Sequence, residues 1–375
     1  MDSKKNILIL YGSAGHGHEK AARAVEEAFL SASMRVKTLD TLKLTAPFFV
    51  GDAYKKSYIF MIKHIPWFWG LVYYATDVPW IYSLLKHLRR LANACSAGPL
   101  EKLLIGENPD AVISTHFMAS EVAANLKRKG KIKSHLFTVI TDYMPHTFWQ
   151  SPADKFIVAL PESKEALVRR GIAAESVEPL GIPTESKFSR MTGKEALAAK
   201  LKLDPKLFTV LLTSGGAGVG SVEKIVDGLL GSQKPMQILV VCGTNKELHR
   251  RLSLKTQYSR RLTVFGFVNN MDELMEVSDL VVGKGGGLTV TESLCKGKPL
   301  VLFESLPGQE TRNARCLERH HAAGVARSAE EVVAQLLTFM EKPAQREKWL
   351  EGVRLIRKPN ASQDLLALVR KMIQG

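Results

Sequence analysis

The segment from Val281 to Arg319 constrains the fold more than any other part of the sequence. It begins with an apolar strand that ends at Val282, and a glycine-rich turn follows directly, Gly283-Lys284-Gly285-Gly286-Gly287. A short helical run, Leu288 to Lys296, and a second apolar strand, Leu300 to Phe303, come next. A strand, turn, helix and strand in this order predict two parallel strands that are joined by a helix.

This turn has the features of a site for a nucleotide diphosphate. Glycine lets the backbone adopt positive φ and lets a ligand approach it closely. The N-terminus of the following helix offers free N–H groups and a partial positive charge to an anion. Glu292 lies about one turn into this helix, where a carboxylate suits the hydroxyls of a ribose. Glycine that only packs a helix against a sheet predicts the same turn, so the turn alone leaves both interpretations open.

Short apolar strands alternate with helices along most of the chain. A first series runs from the strand Asn6 to Tyr11 to the strand Val177 to Leu180, and a second begins with the strand Thr209 to Leu212. Gly181-Ile182-Pro183 separates the two series. In a chain of 375 residues, two such series predict an α/β protein with two doubly wound parallel domains. Their glycine turns are expected to face a shared cleft.

The charge and the cysteine content limit the classes of function. A formal net charge of +15 favours polyanionic partners, such as nucleotides, nucleic acid or an anionic membrane. The cysteines are far apart and form no C-x-x-C pair, which favours reduced thiols in a cytoplasmic protein: Cys95, Cys242, Cys295 and Cys316. The apolar run from Ile7 to Tyr11 is too short for a signal peptide. No apolar run approaches ~20 residues, so we expect no transmembrane helix.

A basic and aromatic segment, Tyr54 to Arg90, interrupts the strand–helix alternation. Tryptophan and tyrosine favour the headgroup boundary of a membrane, and lysine or arginine beside them favours anionic lipid. We therefore predict that this segment binds the membrane surface, with ordinary interior packing of its rings as the alternative. The residues predicted to contact the membrane are Lys55, Lys56, Trp67, Phe68 and Trp69.

The ordered set of motifs resembles one known family. GGGLTVTESLCKGKP followed by PGQETRNA is similar to the donor-binding half of the diacylglycerol glycosyltransferases of glycosyltransferase family 28. These are the monogalactosyldiacylglycerol synthases and the bacterial processive diacylglycerol glucosyltransferases. The resemblance recurs at the N-terminus and in the middle of the chain. It implies a GT-B fold of two Rossmann-like domains: residues 1–183 for the acceptor and membrane, and residues 184–358 for the UDP-sugar. A helix at 359–375 would cross back onto the first domain.

In the first domain the resemblance implies a catalytic base. The loop GSAGHGH carries Gly15 and Gly17, which match family positions at the UDP-sugar, and His18, which matches the base. Imidazole suits this role because its pKa lies close to working pH. His16 is the competing candidate, and either histidine would also suit a helix cap or a phosphate contact. Asp142 lies in a stretch that resembles the acceptor side, where it would orient His18 or the acceptor, or only cap its strand.

In the second domain the resemblance implies the contacts to the UDP-sugar. Leu288 and Thr289 would meet the diphosphate through backbone N–H groups, and Glu292 would bind the ribose. Gln309 and Glu310 would each contact sugar hydroxyls. The remaining matched positions are Gly216 beside the phosphates, Val268 at the uracil and Asn313 one turn after the sugar contacts. For Gly216, Val268 and Asn313 an ordinary structural role would predict the same residues. For Asn313 that role is a residue on the surface of a helix.

These features predict a peripheral enzyme on the cytoplasmic, inner face of the cell membrane. It would transfer glucose or galactose from a UDP-sugar to diacylglycerol with inversion, giving a β-glycosyldiacylglycerol. Its predicted partners are the UDP-sugar, diacylglycerol and anionic lipids, with no nucleic acid. No D-x-D pair or cysteine–histidine set predicts a metal, so we expect no cofactor. Alternatives are a transferase acting on another lipid such as a polyprenyl diphosphate lipid, a nucleotide-sugar epimerase, and a non-catalytic basic membrane-binding protein.

Overall fold

The computed structural model describes residues 5–13, 15–44, 61, 64–78, 80–82, 84, 97–213, 221–303 and 305–374. The chain divides into two compact units, and each is built on a six-stranded parallel sheet. The first unit comprises residues 1–186, 307–309 and 360–375, and the second comprises residues 187–306 and 310–359. The prediction of two doubly wound parallel sheets is confirmed.

The first sheet has the strand order β2-β1-β3-β4-β5-β6. Its strands are β1 (Asn6–Tyr11), β2 (Arg35–Asp40), β3 (Ala111–Ser114), β4 (His135–Val139), β5 (Lys155–Ile157) and β6 (Val177–Glu178). Among the described residues of this unit, the helices include α1 (His16–Ser31), α2 (Pro66–Thr76), α3 (Gly98–Glu107), α4 (Phe117–Arg128), α5 (Pro161–Val168) and, at the end of the chain, α14 (Ala361–Gln374). Short 3₁₀ turns lie at Thr41–Lys43, Thr147–Trp149, Ala174–Ser176 and Ser186–Phe188.

Helices cover both faces of the first sheet. Ile7 and Ile9 of β1 lie in one core with residues of α1 and α14. Leu8 and Leu10 lie in a second core with residues of α3 and α4. Successive side chains of a strand point to opposite faces, so β1 has to be apolar along its whole length.

The last helix of the chain completes the core that the first strand begins. Leu365, Val369 and Ile373 of α14 are buried in the same cluster as Val25 and Phe29 of α1. Two hydrogen bonds fix the helix at its ends. The hydroxyl of Ser362 donates to the carbonyl of Thr184 (3.0 Å), and Arg370 donates to the carbonyl of Ala32 (3.2 Å).

The second sheet has the strand order β12-β11-β10-β7-β8-β9. Its strands are β7 (Phe208–Thr213), β8 (Met236–Val241), β9 (Leu262–Phe265), β10 (Leu280–Gly283), β11 (Leu300–Phe303) and β12 (Ala323–Ala326). The helices that accompany it are α6 (Lys194–Leu201), α7 (Val222–Gly231), α8 (Lys246–Thr256), α9 (Met271–Val277), α10 (Gly287–Cys295), α11 (Gln309–Arg319), α12 (Ala329–Glu341) and α13 (Pro343–Ile356).

Each sheet has a point where the direction of strand addition reverses. In the first sheet it lies between β1 and β3, and in the second between β7 and β10. Ligands of doubly wound sheets bind at the carboxyl ends of such strand pairs. The turn after β1 leads to His18, and the turn after β10 contains Gly285. Both turns that the sequence singles out therefore lie at reversal points.

Some elements differ from the sequence-based prediction. The sequence analysis places His18 in the loop GSAGHGH, but α1 begins at His16, so His18 lies in the first turn of this helix. Strand β12 was not predicted, because alanine and glycine have little intrinsic preference for strands. Pairing with β11 forms it. A Cβ on Gly324 would lie 2.1 Å from Oε1 of Gln335 and 2.6 Å from the ring of Trp349, so β12 needs glycine there.

Two further expectations concern membranes and thiols. No helix in the described part of the chain combines the length and the apolarity needed to span a bilayer. Cys242, Cys295 and Cys316 are buried and do not form disulfides. Burial raises the pKa of the Cys242 thiol to about 11, so that thiol is inert at neutral pH. Cys95 lies outside the described residues.

A buried ion pair holds the beginning of the second unit in place. The ammonium group of Lys296 donates to Oε2 of Glu276 (2.7 Å) and to the carbonyl of Arg190. Oε1 of Glu276 accepts hydrogen bonds from the amides of Thr192 (2.5 Å) and Gly193 (2.6 Å). Burial acts to raise the pKa of Glu276, but these hydrogen bonds outweigh it and hold the pKa below the ordinary glutamate value.

We predict that Lys296→Met lowers the free energy of unfolding by about 3–5 kcal/mol, because it leaves a buried carboxylate without its cation. Urea denaturation of the variant and the parent at neutral pH measures this loss. Adding Glu276→Gln removes the uncompensated charge and should recover part of it. Since the pKa of Glu276 is lowered by folding, its contribution is present above the ordinary glutamate pKa and is lost as pH falls through the lowered value. A loss below about 1 kcal/mol would contradict this role.

Candidate active site

His18 lies in the first turn of α1, at the reversal point of the first sheet. Its Nδ1 is 3.2 Å from Oγ1 of Thr141, two residues beyond the end of β4. The hydroxyl of Thr115, directly after β3, donates to the backbone carbonyl of His18 (2.9 Å). The ring of Trp149 lies 6.1 Å away between centroids. These contacts fix the imidazole, while its Nε2 has no hydrogen-bond partner among the described residues.

The surroundings of His18 keep its imidazole neutral. Burial lowers the pKa of His18 to about 4, although the hydrogen bond with Thr115 acts in the opposite direction. At neutral pH the ring therefore carries no charge. If Nδ1 donates its proton to the hydroxyl of Thr141, the lone pair of Nε2 is left to accept a proton. An imidazole in this state has the free lone pair that a general base requires, and its lowered pKa makes it a weaker base than an ordinary imidazole.

A second histidine, which the sequence-based reasoning missed, lies beside His18. The ring of His116 is 5.1 Å from that of His18 in an edge-on arrangement and stacks on Phe117 at 4.4 Å. It is 2% exposed, and its Nδ1 is buried without a hydrogen-bond partner among the described residues. Burial and the neighbouring His18 hold the pKa of His116 well below its ordinary value. Its position two residues after the end of β3, at the reversal point, was the available signal.

The glycines of the first turn differ in what surrounds them. A Cβ on Gly12 would lie 2.8 Å from the ring of His116, so that histidine can only reach its position beside a glycine. A Cβ on Gly15 would meet no atom within 4 Å, so packing does not require glycine there. Gly17 follows His16 in the first turn of α1, and His16 is exposed.

The partner of the His18 ring is Thr141, which lies in the stretch after β4. The sequence analysis considered Asp142, the next residue, as the one that orients His18. Asp142 is the next residue and is half-buried. Its predicted role in orienting the acceptor stays a prediction. Thr141 carried no signal in the sequence, because its contact with His18 joins residues 123 positions apart.

Helix α2 presents an apolar face that the unit does not cover. Trp67 is 67% exposed and Leu71 is 60% exposed, and with Phe68 and Tyr74 they lie at i, i+1, i+4 and i+7. Side chains at this spacing share one side of a helix. Trp69 is half-buried. Lys55 and Lys56, the predicted cationic neighbours, lie outside the described residues.

The carboxylate of Asp77 anchors the end of α2. It accepts hydrogen bonds from the amide of Thr147 (2.7 Å) and from Arg170 (3.0 Å). Nε2 of His146 lies 3.0 Å from the carbonyl of Tyr73. These bonds join α2 to the loop after β4 and to the residues after α5. They hold α2 in a fixed position within the unit, with its apolar face exposed.

In the second unit the glycine turn after β10 is shaped by residues from α11. A Cβ on Gly285 would lie 2.2 Å from the backbone oxygen of Glu310, so only glycine fits. The side-chain amide of Asn313 donates to the carbonyl of Gly285 (3.0 Å). The backbone amide of Gly285 donates to the hydroxyl of Ser305 (3.1 Å). Asn313 is 0% exposed, so its interpretation as a helix surface residue is wrong.

The turn leads into the N-terminus of α10. Gly286 is the residue before the helix, and no side chain caps it. The first N–H groups of a helix have no partner within it, so Leu288 and Thr289 offer donors at this end. Glu292 is 2% exposed in the middle of the same helix. The predicted diphosphate and ribose residues thus lie within two turns of one another.

The other predicted donor residues lie at the same edge of the sheet, because all its strands are parallel. Gln309 begins α11, and the carboxylate of Glu310 accepts from the amide of Leu306 (2.7 Å). Val268 follows β9 and is half-buried. Gly216 lies outside the described residues. Leu288, Thr289, Glu292 and Glu310 therefore lie at one edge of the second sheet, with Val268 at its far end, whereas Gln309 is counted with the first unit.

Comparison with known proteins identifies the family of both halves. The model of the monogalactosyldiacylglycerol (MGDG) synthase family matches residues 18–184, and that of the glycosyltransferase family 28 C-terminal domain matches residues 209–359. The chain is 31% identical over 363 residues to a processive diacylglycerol beta-glucosyltransferase of Bacillus cereus (strain B4264). The matched region covers 96% of this chain and 92% of that protein. Identity to the Bacillus subtilis (strain 168) protein of the same name is 27% over 374 residues, with 99% and 96% covered.

Solved structures agree in fold. Acinetobacter baumannii MurG superimposes with a TM-score of 0.65 at 16% identity, covering 98% of this chain and 100% of MurG. Anabaena Alr3699/HepE in complex with UDP gives a TM-score of 0.57 at 14% identity, with the same coverage. At such identities the likeness concerns the fold alone, and it confirms the predicted GT-B fold.

The N-terminal and C-terminal matches follow one another along the chain with residues 185–208 between them, and the identity to the Bacillus cereus protein extends over nearly the full length of both chains. The predicted resemblance is confirmed by both. The chain belongs to the diacylglycerol glycosyltransferases of glycosyltransferase family 28.

Proposed function

We propose that this chain is an inverting glycosyltransferase that moves a hexose from a UDP-sugar to the free hydroxyl of diacylglycerol. The product is a β-glycosyldiacylglycerol. The names of the Bacillus relatives favour glucose over galactose as the hexose. The observation that carries the proposal is the neutral, hydrogen-bonded imidazole of His18 at the reversal point of the first sheet.

In the proposed reaction His18 is the base. Nε2 accepts the proton of the diacylglycerol hydroxyl while the hydroxyl oxygen attacks the anomeric carbon. The bond from that carbon to the diphosphate oxygen breaks, and its electron pair leaves with UDP. Attack from the face opposite UDP converts the α-linked donor into a β-glycoside.

The departing UDP acquires negative charge, and α10 is suited to stabilise it. The backbone N–H groups of Leu288 and Thr289 and the positive end of the helix act on the diphosphate without reorganisation. We propose that no metal ion is needed for this step. Glu292 binds the ribose, and Gln309 and Glu310 bind the hexose.

The acceptor is a lipid, so the enzyme has to reach it at the membrane surface. The exposed face of α2, with Trp67 and Leu71, supports a peripheral attachment to a membrane surface, and we propose the inner leaflet as that surface. The large positive net charge supports a preference for anionic lipid. The aromatic residues of α2 divide between the two interpretations given for this segment. Tyr73 is buried, as interior packing predicts, while Trp67 is exposed, as membrane binding predicts.

A direct assay tests the proposed activity. Purified protein is incubated with labelled UDP-glucose, UDP-galactose or UDP-N-acetylglucosamine and with diacylglycerol vesicles, and the lipids are separated. The proposal predicts labelled β-glycosyldiacylglycerol that depends on the vesicles. Conversion of the UDP-sugar without any labelled lipid would favour the epimerase alternative.

We predict that His18→Ala lowers the turnover number by roughly 10²–10⁴-fold, the usual contribution of a general base. UDP affinity, measured by calorimetry, should change little because the diphosphate contacts belong to the second unit. His16→Ala is the matched control, since His16 is exposed two residues away. If His16→Ala loses turnover while His18→Ala retains it, the base is wrongly assigned.

A second prediction separates the ribose contact from the hexose contacts. Glu292→Gln, which keeps the side-chain shape in its buried position, should weaken UDP binding by about 1–3 kcal/mol. Gln309→Ala should weaken a non-hydrolysable UDP-sugar more than it weakens UDP. Calorimetric titration of both ligands measures the difference. If Gln309→Ala weakened the binding of UDP and of the UDP-sugar equally, Gln309 would not be a contact to the hexose.

The membrane attachment predicts that Trp67→Ser with Leu71→Ser reduces sedimentation with anionic vesicles, because two exposed apolar side chains leave the headgroup boundary. UDP binding should be unchanged. Leu254→Ser with Tyr258→Ser is a matched control, since both side chains are exposed on the second unit. Equal effects of the two double variants on vesicle binding would rule out a specific role for α2.

A further inference from the structure

The second unit has a cavity at the edge of its sheet where the strands begin. Its volume is about 270 Å³. Phe208 is the first residue of β7, Asp279 directly precedes β10, and Lys298 lies two residues before β11. Because the strands are parallel, this edge is opposite to the one that carries the glycine turn at Gly285. The cavity is therefore separate from the proposed donor site.

Positive charge dominates the lining of this cavity. Four cations, Lys194, Lys206, Lys298 and Arg346, surround a single carboxylate, Asp279. Lys194 already pairs with that carboxylate, since its ammonium nitrogen is 2.7 Å and 2.8 Å from the two oxygens. The other three cations have no ion-pair partner in the ranges that the structure describes. The site thus carries about three positive charges that the protein does not neutralise.

Lys298 is the most unusual of these cations. Its backbone has an ordinary role: its amide donates to the carbonyl of Ser293 (2.9 Å) and its carbonyl accepts from the Ser293 hydroxyl (3.1 Å). Its side chain is half-buried and unpaired. Burial is the main cause that lowers the pKa of Lys298. The positive charges of Lys194 and Lys296 lower it further, while the carboxylates of Asp279 and Glu276 act to raise it. An anion beside the ammonium group would offset this cost.

We propose that the cavity binds a phosphate group through Lys206, Lys298 and Arg346. A phosphate dianion matches the excess charge better than a single carboxylate does, and a guanidinium can donate two parallel hydrogen bonds to phosphate. The rings of Phe208 and Phe339, 6.1 Å apart between centroids, form an apolar wall beside the cations. This wall suits the organic part of a phosphomonoester. A soluble phosphorylated compound and the headgroup of an anionic lipid share this chemistry.

Inorganic phosphate tests the site on the full chain. The titration is done by calorimetry with excess UDP present, so that phosphate does not occupy the diphosphate site. The parent should bind, and Lys298→Met and Arg346→Gln should each bind at least about tenfold more weakly. Lys224→Gln removes one charge from an exposed position on α7 outside the cavity and should bind like the parent.

Lys206→Gln keeps the test decisive if Lys298→Met does not fold, because Lys206 is exposed. Lack of phosphate binding by the parent overturns the proposal. So does equal binding by the cavity variants and Lys224→Gln.

Vesicles of phosphatidylcholine with phosphatidic acid distinguish the two sources of the phosphate group. Because the whole chain is basic, the readout is the difference between Lys298→Met and Lys224→Gln rather than binding itself. Weaker flotation of Lys298→Met, reversed in the parent by free phosphate, assigns the site to a lipid headgroup. Equal flotation together with loss of phosphate binding in Lys298→Met assigns it to a soluble compound.

Discussion

The hydrogen bond between Nδ1 of His18 and the hydroxyl of Thr141 is the contact on which the candidate base depends. It ties the first turn of α1 to the chain just beyond β4, next to the point where the first sheet reverses. A hydroxyl fixes the ring but, unlike a carboxylate, does not offset the cost of burying an imidazolium. The pKa of His18 therefore falls to about 4, and the base is ready in its neutral form.

The second unit prepares its site mainly through the backbone. Gly285 fits against the carbonyl of Glu310 only because it lacks a Cβ, and Asn313 holds the same turn from α11. These contacts present the N-terminus of α10 with its free N–H groups. The opposite edge of this sheet is lined by unneutralised cations such as Lys298. In the two proposals, one parallel sheet would bind two different anions at its two edges, a diphosphate through backbone N–H groups and a phosphate through cationic side chains.

Local patterns predicted the parts of the structure that depend on local chemistry. The bounds of β1 and β11 agree with the sequence-based prediction, because each is a continuous apolar run between turn residues. His116 and Thr141 were missed because their contacts with His18 join distant positions of the chain. β12 was missed because pairing with β11 overrides its weak propensity. Asn313 showed no apolar pattern, and its side-chain amide is buried where it donates to the carbonyl of Gly285, 28 positions away in the chain.

The pH dependence of kcat/KM for transfer from UDP-glucose to diacylglycerol tests the central claim most directly, because it reports the pKa of the essential base in the free enzyme. With a His18 pKa of about 4, the account predicts that activity persists below the ordinary histidine value of about 6.5. The loss should come only as the pH approaches the lowered value. A half-loss of kcat/KM close to the ordinary histidine pKa would contradict the account, since it would require a base in an environment unlike that of His18.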